Sequence, residues 1–235
     1  DVVLGASHLK YTRESWAQQL QANIELNTAD LYLWQVYGLG MRAVGEDVIF
    51  PRWQQYTDEE KPNESAADWV LLGGDFGYSN DPTVLVKCEK FGNNIYIRLL
   101  CYETGLLNAD IARKMKHHNW NNDVSIWDSA DGLKAVNELR IEGINATGAR
   151  KGVGSVAFGI QYMKKFNLFL HHESAEMKKE FQAYKWSKKT SGEYKRNTLK
   201  QRVPSDNQAD HAIDAARYAI TYYAEGLKET TDGID

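Results

Sequence analysis

A chain of 235 residues, 43% hydrophobic and 26% charged with only four prolines, has the composition of a globular protein and not of a disordered or fibrous one. That length is one generous domain, or a domain with an appended arm, and can bury roughly 70% of its unfolded surface without disulfides; no run approaches the ~18 apolar residues of a membrane span. The net charge of −4 argues against a nucleic-acid partner until its placement is considered: residues 150–202 hold 13 Lys/Arg against 4 Asp/Glu, a basic tract on an acidic body.

The chain opens on Asp1 without a charged-then-apolar leader and reads as a processed or excised piece. The first 66 residues read as an N-terminal arm. An amphipathic run covers Arg13 to Leu26, Thr28 is placed to cap a helix over Ala29 to Tyr37, and Gly38 and Gly40 end it. Val48-Ile49-Phe50 fits a short strand, and the polar stretch from Tyr56 to Asp68, with Pro62, Asn63 and Ser65, marks the boundary of a main domain over 67–226. Residues 227–235 form a polar tail.

In the main domain, Trp69 to Gly74 is a nearly continuous apolar run, the pattern of a strand buried on both faces, and it delivers Asp75 at its end. Thr83 to Lys90 and Asn94 to Tyr102 form a hairpin. With Gly92-Asn93 as its turn, Cys88 faces Ile97 and Cys101 faces Val84, so the only two cysteines read as buried reduced thiols, as in a cytoplasmic compartment. Helical spacing follows over Asn108 to His118, then a short strand from Val124 to Trp127 ending at Asp128, and a helix over Leu133 to Leu139. Strands are expected at Ile144 to Ala146 and Leu168 to Leu170, with a helix over Ser155 to Lys165 between them. Three strands, then strands alternating with helices, predict an α/β fold: a mixed sheet flanked by helices. Ser205-Asp206 is placed to cap a small-residue helix running to about Ala224.

Asp75 and Asp128 stand at the ends of buried strands, and Asp214 lies inside an apolar helix. A carboxylate in such places must be paired, hydrogen-bonded or bound to a cation. Each has a structural alternative, such as a cap, a turn or a salt bridge from Asp214 to Arg217. Together they form a pattern. In Asp75-Phe76-Gly77-Tyr78 the glycine lets the backbone turn away from the rim. Asp128-Ser129-Ala130-Asp131 repeats the arrangement, and on neighbouring strands the two ends would be about 5 Å apart. His211 and Asp214, three apart on one helix, share a face. Such oxygen-rich donors suit Mg²⁺ or Mn²⁺.

The series Asp75-Phe76-Gly77-Tyr78-Ser79-Asn80-Asp81-Pro82-Thr83, Trp127-Asp128-Ser129-Ala130-Asp131, Lys151-Gly152-Val153-Gly154-Ser155 and His211-Ala212-Ile213-Asp214-Ala215-Ala216-Arg217-Tyr218 resembles the C-terminal nuclease domain of the large terminase subunit of tailed double-stranded-DNA phages. The resemblance spans about Trp69 to Ala224. It implies a ribonuclease H-like fold, an endonuclease cutting viral DNA during packaging, and two divalent ions held by Asp75, Asp128 and Asp214 with His211 auxiliary. It implies a full-length partnership with a packaging ATPase domain, small terminase subunit and portal, in the cytoplasm of the infected host. No Gly-x-x-x-x-Gly-Lys-Ser/Thr occurs in this sequence, so the arm reads as the remnant joining an ATPase domain to the nuclease domain. A junction resolvase or transposase-like nuclease of the same fold, and a docking module with vestigial catalysis, are the alternative functions.

Asp81 precedes Pro82 and reads as a turn residue, whereas Asp131 and Asp210 are substitutes placed to assist the triad. His117-His118 and His171-His172 lack partners spaced for a zinc site. Arg150 and Lys151 lead into the helix that starts at Ser155, where backbone N–H groups favour a phosphate. Lys185 to Arg196 reads as a cationic hairpin in which Lys188, Lys189, Lys195 and Arg196 reach a DNA backbone. The alternative for both segments is a solvated surface.

Overall fold

The computed structural model describes residues 2–4, 9–11, 18, 22–23, 47–77, 80–129, 133–206 and 208–231. The chain divides into two compact units, Asp1–Glu46 and Asp47–Asp235. In the first, β1 (Val2–Leu4) pairs antiparallel with β2 (Leu9–Tyr11), Val3 opposite Lys10. Of the helices expected over Arg13 to Leu26 and Ala29 to Tyr37, only Gln18, Ala22 and Asn23 are described, and these are helical; the rest lies outside the described residues.

The second unit begins twenty residues earlier than the polar boundary at 66/67 suggests. Ile49 and Phe50 are buried in its core, and β3 (Gln54–Tyr56) joins its sheet. A strand whose residues are Gln-Gln-Tyr carries no apolar alternation, because β3 is an edge strand that buries only Tyr56. Val48 makes one isolated bridge with Lys185 rather than a strand.

The remaining strands are β4 (Trp69–Asp75), β5 (Thr83–Phe91), β6 (Asn94–Glu103), β7 (Ser125–Trp127), β8 (Ala146–Gly148) and β9 (Asn167–His171). The α-helices among the described residues of this unit are α1 (Asn108–His117), α2 (Lys134–Ile141), α3 (Ser155–Met163), α4 (Ala175–Ala183) and α5 (His211–Thr231). The sheet order is β3-β9-β6-β5-β4-β7-β8; β5 runs antiparallel to β4 and β6, and the other neighbours are parallel. This is the expected mixed sheet. One core cluster lies under α3, α4 and α5 and the other under α1 and α2, so helices cover both faces.

The β5–β6 hairpin turns at Gly92-Asn93, with Phe91 opposite Asn94 and Cys88 opposite Ile97. A bulge between Leu85 and Val86 then shifts the register by one, so Cys101 faces Leu85 and not Val84. The two thiols belong to clusters on opposite faces of the sheet, both reduced and buried.

Three further elements differ from expectation. The apolar Ile144 is buried but closes the end of α2, its N–H donating to Leu139 O at 3.0 Å, and the strand starts two residues later at Ala146. Helix α4 was not expected from its sequence, since its inward face is only Met177, Phe181 and a carboxylate, Glu180. Helix α5 starts at His211 rather than after Ser205-Asp206, and runs to Thr231 through part of the expected tail. No described helix is long and apolar enough to cross a membrane.

A candidate metal centre at the strand rim

Two neighbouring strands set the site. Gly74 of β4 lies beside Trp127 of β7 in a parallel ladder, and Asp128 N–H donates to Gly74 O at 3.1 Å, so Asp75 and Asp128 leave the sheet side by side. Parallel neighbours are ~4.8 Å apart. Beyond Asp75 the chain turns at Gly77, where a Cβ would stand 2.2 Å from Asp81 O; the turn is held by Gly77 N–H to Thr83 Oγ1 at 3.1 Å.

Helix α5 is drawn onto this rim by close packing. A Cβ on Gly73 would meet Ala215 O at 1.9 Å and Ala219 Cβ at 3.2 Å, so the strand admits the helix backbone only because residue 73 has no side chain. The first turn of α5 then carries His211 and Asp214 to the rim. His211 Nδ1 lies 3.0 Å from Asp75 Oδ2, and its Nε2 lies 4.0 Å from an oxygen of the exposed Asp81.

The N-terminus of α5 is capped from another helix. Glu180 of α4, 3% exposed, accepts from Ala212 N–H at 2.8 Å and Ile213 N–H at 3.2 Å, and from the Tyr102 hydroxyl at 3.0 Å. This replaces the cap expected from Ser205-Asp206. Burial pushes the Glu180 carboxyl above its usual range, against the pull of these donors.

Two carboxylates of the set have a cationic neighbour, and the third, Asp75, has His211. Lys151 pairs with Asp128, and the Lys151 ammonium also sits 5.5 Å from the Tyr218 ring centre. Asp214 takes a two-point contact from Arg217, Nη2 to Oδ2 at 2.6 Å and Nε to Oδ1 at 3.2 Å, so the salt-bridge alternative is made; Tyr218 hydroxyl adds a 3.4 Å contact. The Asp75 carboxyl is pushed up by burial and by repulsion from Asp214 and Asp128, with the His211 contact opposing. His211 is pushed up in turn, chiefly by the Asp75 hydrogen bond. Asp210 is pushed up to about 6 by burial and by Asp214. Asp210 lines one cleft with Asp214, while Asp131 lies outside the described residues. The Tyr218 hydroxyl is raised by burial and by Asp214, with Arg217 opposing and smaller contributions from Asp128 and Asp75.

The carboxylates and His211 are legible in the sequence as site residues; Tyr218 and Glu180 are not. Tyr218 reads as one more apolar position of a helix, and its i+4 relation to Asp214 was the available signal. The side chains of Asp75, Asp128 and Asp214 are 13%, 21% and 23% exposed, enough for an ion or a phosphate to reach them. Their oxygens do not all lie within 4.8 Å of one another; among the described residues that closeness is met by His171, His172 and Glu173. There, however, the Arg98 guanidinium abuts His171 Nε2, and burial and Arg98 hold this imidazole neutral to lower pH. The donor set at the rim, carboxylate oxygens with one imidazole, fits a hard divalent ion better.

A family model described as a terminase RNAseH-like domain matches residues 75–222, more than half of the chain and all four of these side chains. The chain belongs to this terminase family. The terminase domain resembles the nuclease domain of the large terminase of bacteriophage SPP1, solved with bound Mn, at 22% identity and a TM-score of 0.56 over 72% of this chain and 96% of that one. The nuclease domain of the P22 large terminase is 15% identical, with a TM-score of 0.52 over 78% of this chain and 94% of that one. A large terminase of a thermophilic bacteriophage, solved with ADP, is 16% identical with a TM-score of 0.58; 91% of this chain covers 52% of it, so this chain spans about half of that protein. The nuclease domain of another thermophilic phage terminase was solved with bound magnesium. At these identities the likeness is one of fold, ribonuclease H-like. No curated protein matches the chain.

The residues expected to meet DNA are differently placed. Arg150 and Lys195 are exposed, and Ser155 opens α3 with its Oγ 3.5 Å from Gly152 N. Lys188 pairs with Asp47 at 2.7 Å and lies over the Tyr194 ring, Lys189 pairs with Glu193 at 3.3 Å, and Arg196 donates to Lys200 O at 2.6 Å. The expected hairpin forms, with Lys188 opposite Tyr194, and a second turn at 197–201 follows.

Proposed function

We propose that this domain is a divalent-metal-dependent endonuclease that cuts double-stranded viral DNA during genome packaging. The observation that carries the reading is the adjacency of Asp75 and Asp128 on parallel strand ends, with His211 of α5 bonded to Asp75. Membership of the terminase family, and the Mn and Mg bound to similar nuclease domains, support it. Asp75, Asp128 and Asp214 would hold two Mg²⁺ or Mn²⁺ ions. When bound, such ions activate water for in-line attack on phosphorus and neutralise the charge that develops on the leaving 3′ oxygen.

The chain's own groups prepare that chemistry. Asp75 fixes the His211 ring through Nδ1, leaving Nε2 to orient a water or a carboxylate. Lys151 and Arg217 neutralise carboxylates that would otherwise repel one another. On the loop that leads into α3, Lys151 is also the cation able to exchange Asp128 for a DNA phosphate, beside Arg150 and the N-terminus at Ser155. Lys188, Lys189, Lys195 and Arg196 extend the contact along the duplex. In the full-length protein, a packaging ATPase domain, the small terminase subunit and the portal are the partners, in the cytoplasm of the infected bacterial host.

Plasmid DNA incubated with the purified chain should be linearised and then degraded in Mn²⁺ or Mg²⁺ and left intact in EDTA. Asp75→Ala, Asp128→Ala and Asp214→Ala should each abolish cutting, and His211→Ala should slow it. Full activity in one of the aspartate variants would remove that residue from the centre, and cutting that survives loss of all three would point to a contaminating nuclease and favour a docking module with vestigial catalysis.

A further inference from the structure

Cations gather at a second place, away from the rim. From Arg150 to Lys165 the chain carries four Lys/Arg and no Asp/Glu. Arg150 and Lys151 lie before α3, at the end marked by the Lys151–Asp128 pair, and Lys164 and Lys165 lie after it. That far end opens on a cleft of about 660 Å³ walled by Arg52, Trp53, Lys164, Lys165 and Phe166, with no acidic side chain in its lining. Among the described residues neither lysine nor Arg52 has a carboxylate partner. The Lys164 ammonium instead lies 5.2 Å from the Trp186 ring centre and that of Lys165 5.4 Å from Tyr162.

Lysines after a helix C-terminus are explained by the helix dipole alone. Arg52 is not, since it comes from the segment before β3, and neither is Arg202, which comes from the second turn of the hairpin region. Burial and the like charge of Arg202 both pull the Lys164 pKa down. Two separate segments thus bring Arg52, Lys164 and Lys165 to one cleft whose lining holds no carboxylate, in a chain whose net charge is −4. The half-buried faces of Trp53 and Phe166 stand beside them.

We propose that this cleft is a second contact for the DNA phosphate backbone, held by α3 at a fixed distance from the cutting centre. The proposal rests on the nuclease reading and extends it. Nine residues of α3, at ~1.5 Å each, span ~14 Å, and each strand offers a phosphate per ~3.4 Å of duplex axis, so the contact falls about four base pairs from the scissile bond. A free nucleotide shares the required chemistry, phosphate beside a flat ring. The duplex is favoured because cations stand at both ends of α3, Arg150 and Lys151 towards the rim and Lys164 and Lys165 at the cleft, two points that one phosphate backbone can join and a single nucleotide cannot.

The test is anisotropy of a labelled 30-base-pair duplex in EDTA, from 50 to 300 mM KCl, with the full chain and the variant Arg52→Ala/Lys164→Ala/Lys165→Ala. Melting temperature checks that each variant is folded, and Lys165→Glu alone serves if the triple variant is not. Neutralising up to three phosphate contacts should weaken binding and reduce the slope of log K against log salt by about two to three units, or about one for Lys165→Glu. A control with as many cations removed elsewhere, Arg113→Ala/Lys116→Ala/Lys179→Ala, should keep the slope. Unchanged slopes in the cleft variants, with wild type binding duplex, would overturn the second contact and leave the nuclease reading standing. Wild type that neither binds nor cuts duplex would overturn both. ATP binding that is lost in the triple variant while duplex binding is kept would assign the cleft to a free nucleotide and overturn the proposal.

Discussion

Replacing Glu180 should show how far the rim depends on a carboxylate that never touches it. In the folded chain Glu180 receives two N–H groups from the first turn of α5 and the Tyr102 hydroxyl, while 3% exposed. Glu180→Ala strands these donors; each buried unmet group costs ~1–3 kcal/mol, and a lost cap ~0.5–2 kcal/mol. Since water entering the small void would satisfy part of the set, the expected loss is about 3 kcal/mol, or ~6–12 °C in Tm for a unit of this size. Glu180→Gln keeps one accepting oxygen and loses the charge at the helix N-terminus, a cost of about 1 kcal/mol. Melting in EDTA should therefore rank wild type, Gln, Ala. A second reading separates positioning from mere stability: the rise in Tm with Mn²⁺, which follows RT ln(1 + [L]/Kd), should be smaller in the Ala variant because His211 and Asp214 ride on the uncapped turn. An Ala variant melting within ~2 °C of wild type would refute the capping argument. A full Mn²⁺ response in a destabilised variant would refute the positioning argument.

Gly73→Ala puts a Cβ 1.9 Å from Ala215 O, so α5 must withdraw from β4; a loss of about 1–3 kcal/mol or more is expected, with weaker Mn²⁺ binding by calorimetry, and an unchanged Tm would show that the helix does not lean on this strand. Asp210, raised to about 6, holds its proton more tightly in the folded chain than in the unfolded one. The stability it contributes is full below about pH 4 and is lost as pH rises through about 6. In EDTA, Asp210→Asn should therefore gain on wild type in Tm between pH 4 and 7. A difference that stays constant over that range would mean the carboxyl is not held back by the cluster.

The strand ends were legible because their causes are local. A continuous apolar run before Asp75 and another before Asp128 report burial on both faces, and a carboxylate directly after such a run stands at a rim whatever the rest of the chain does. The Gly92-Asn93 turn, the helical spacing of α1 and α3, and the shared face of His211 and Asp214 are likewise set within a few residues. Four side chains of the candidate centre could be named on that basis.

Other features depend on residues far apart in sequence. The cap of α5 comes from Glu180, 32 residues before Ala212, so Ser205-Asp206 had the right chemistry in the wrong place. The His211–Asp75 contact closes over 136 residues, and Lys151 becomes the counter-ion of Asp128 only when the loop before α3 folds onto the sheet, whereas the Arg217–Asp214 pair, three apart on α5, is local. The strand β3 is invisible to hydrophobic pattern because an edge buries one side chain, and the bulge in β5–β6 leaves no mark in composition. By itself the sequence determined which segments bury apolar surface, and so where chemistry could stand on the rim. Only tertiary packing decided which charges from distant segments face one another, because such an ion pair, a cap from another helix or a cationic cleft is a matter of distance in space, to which local pattern is blind.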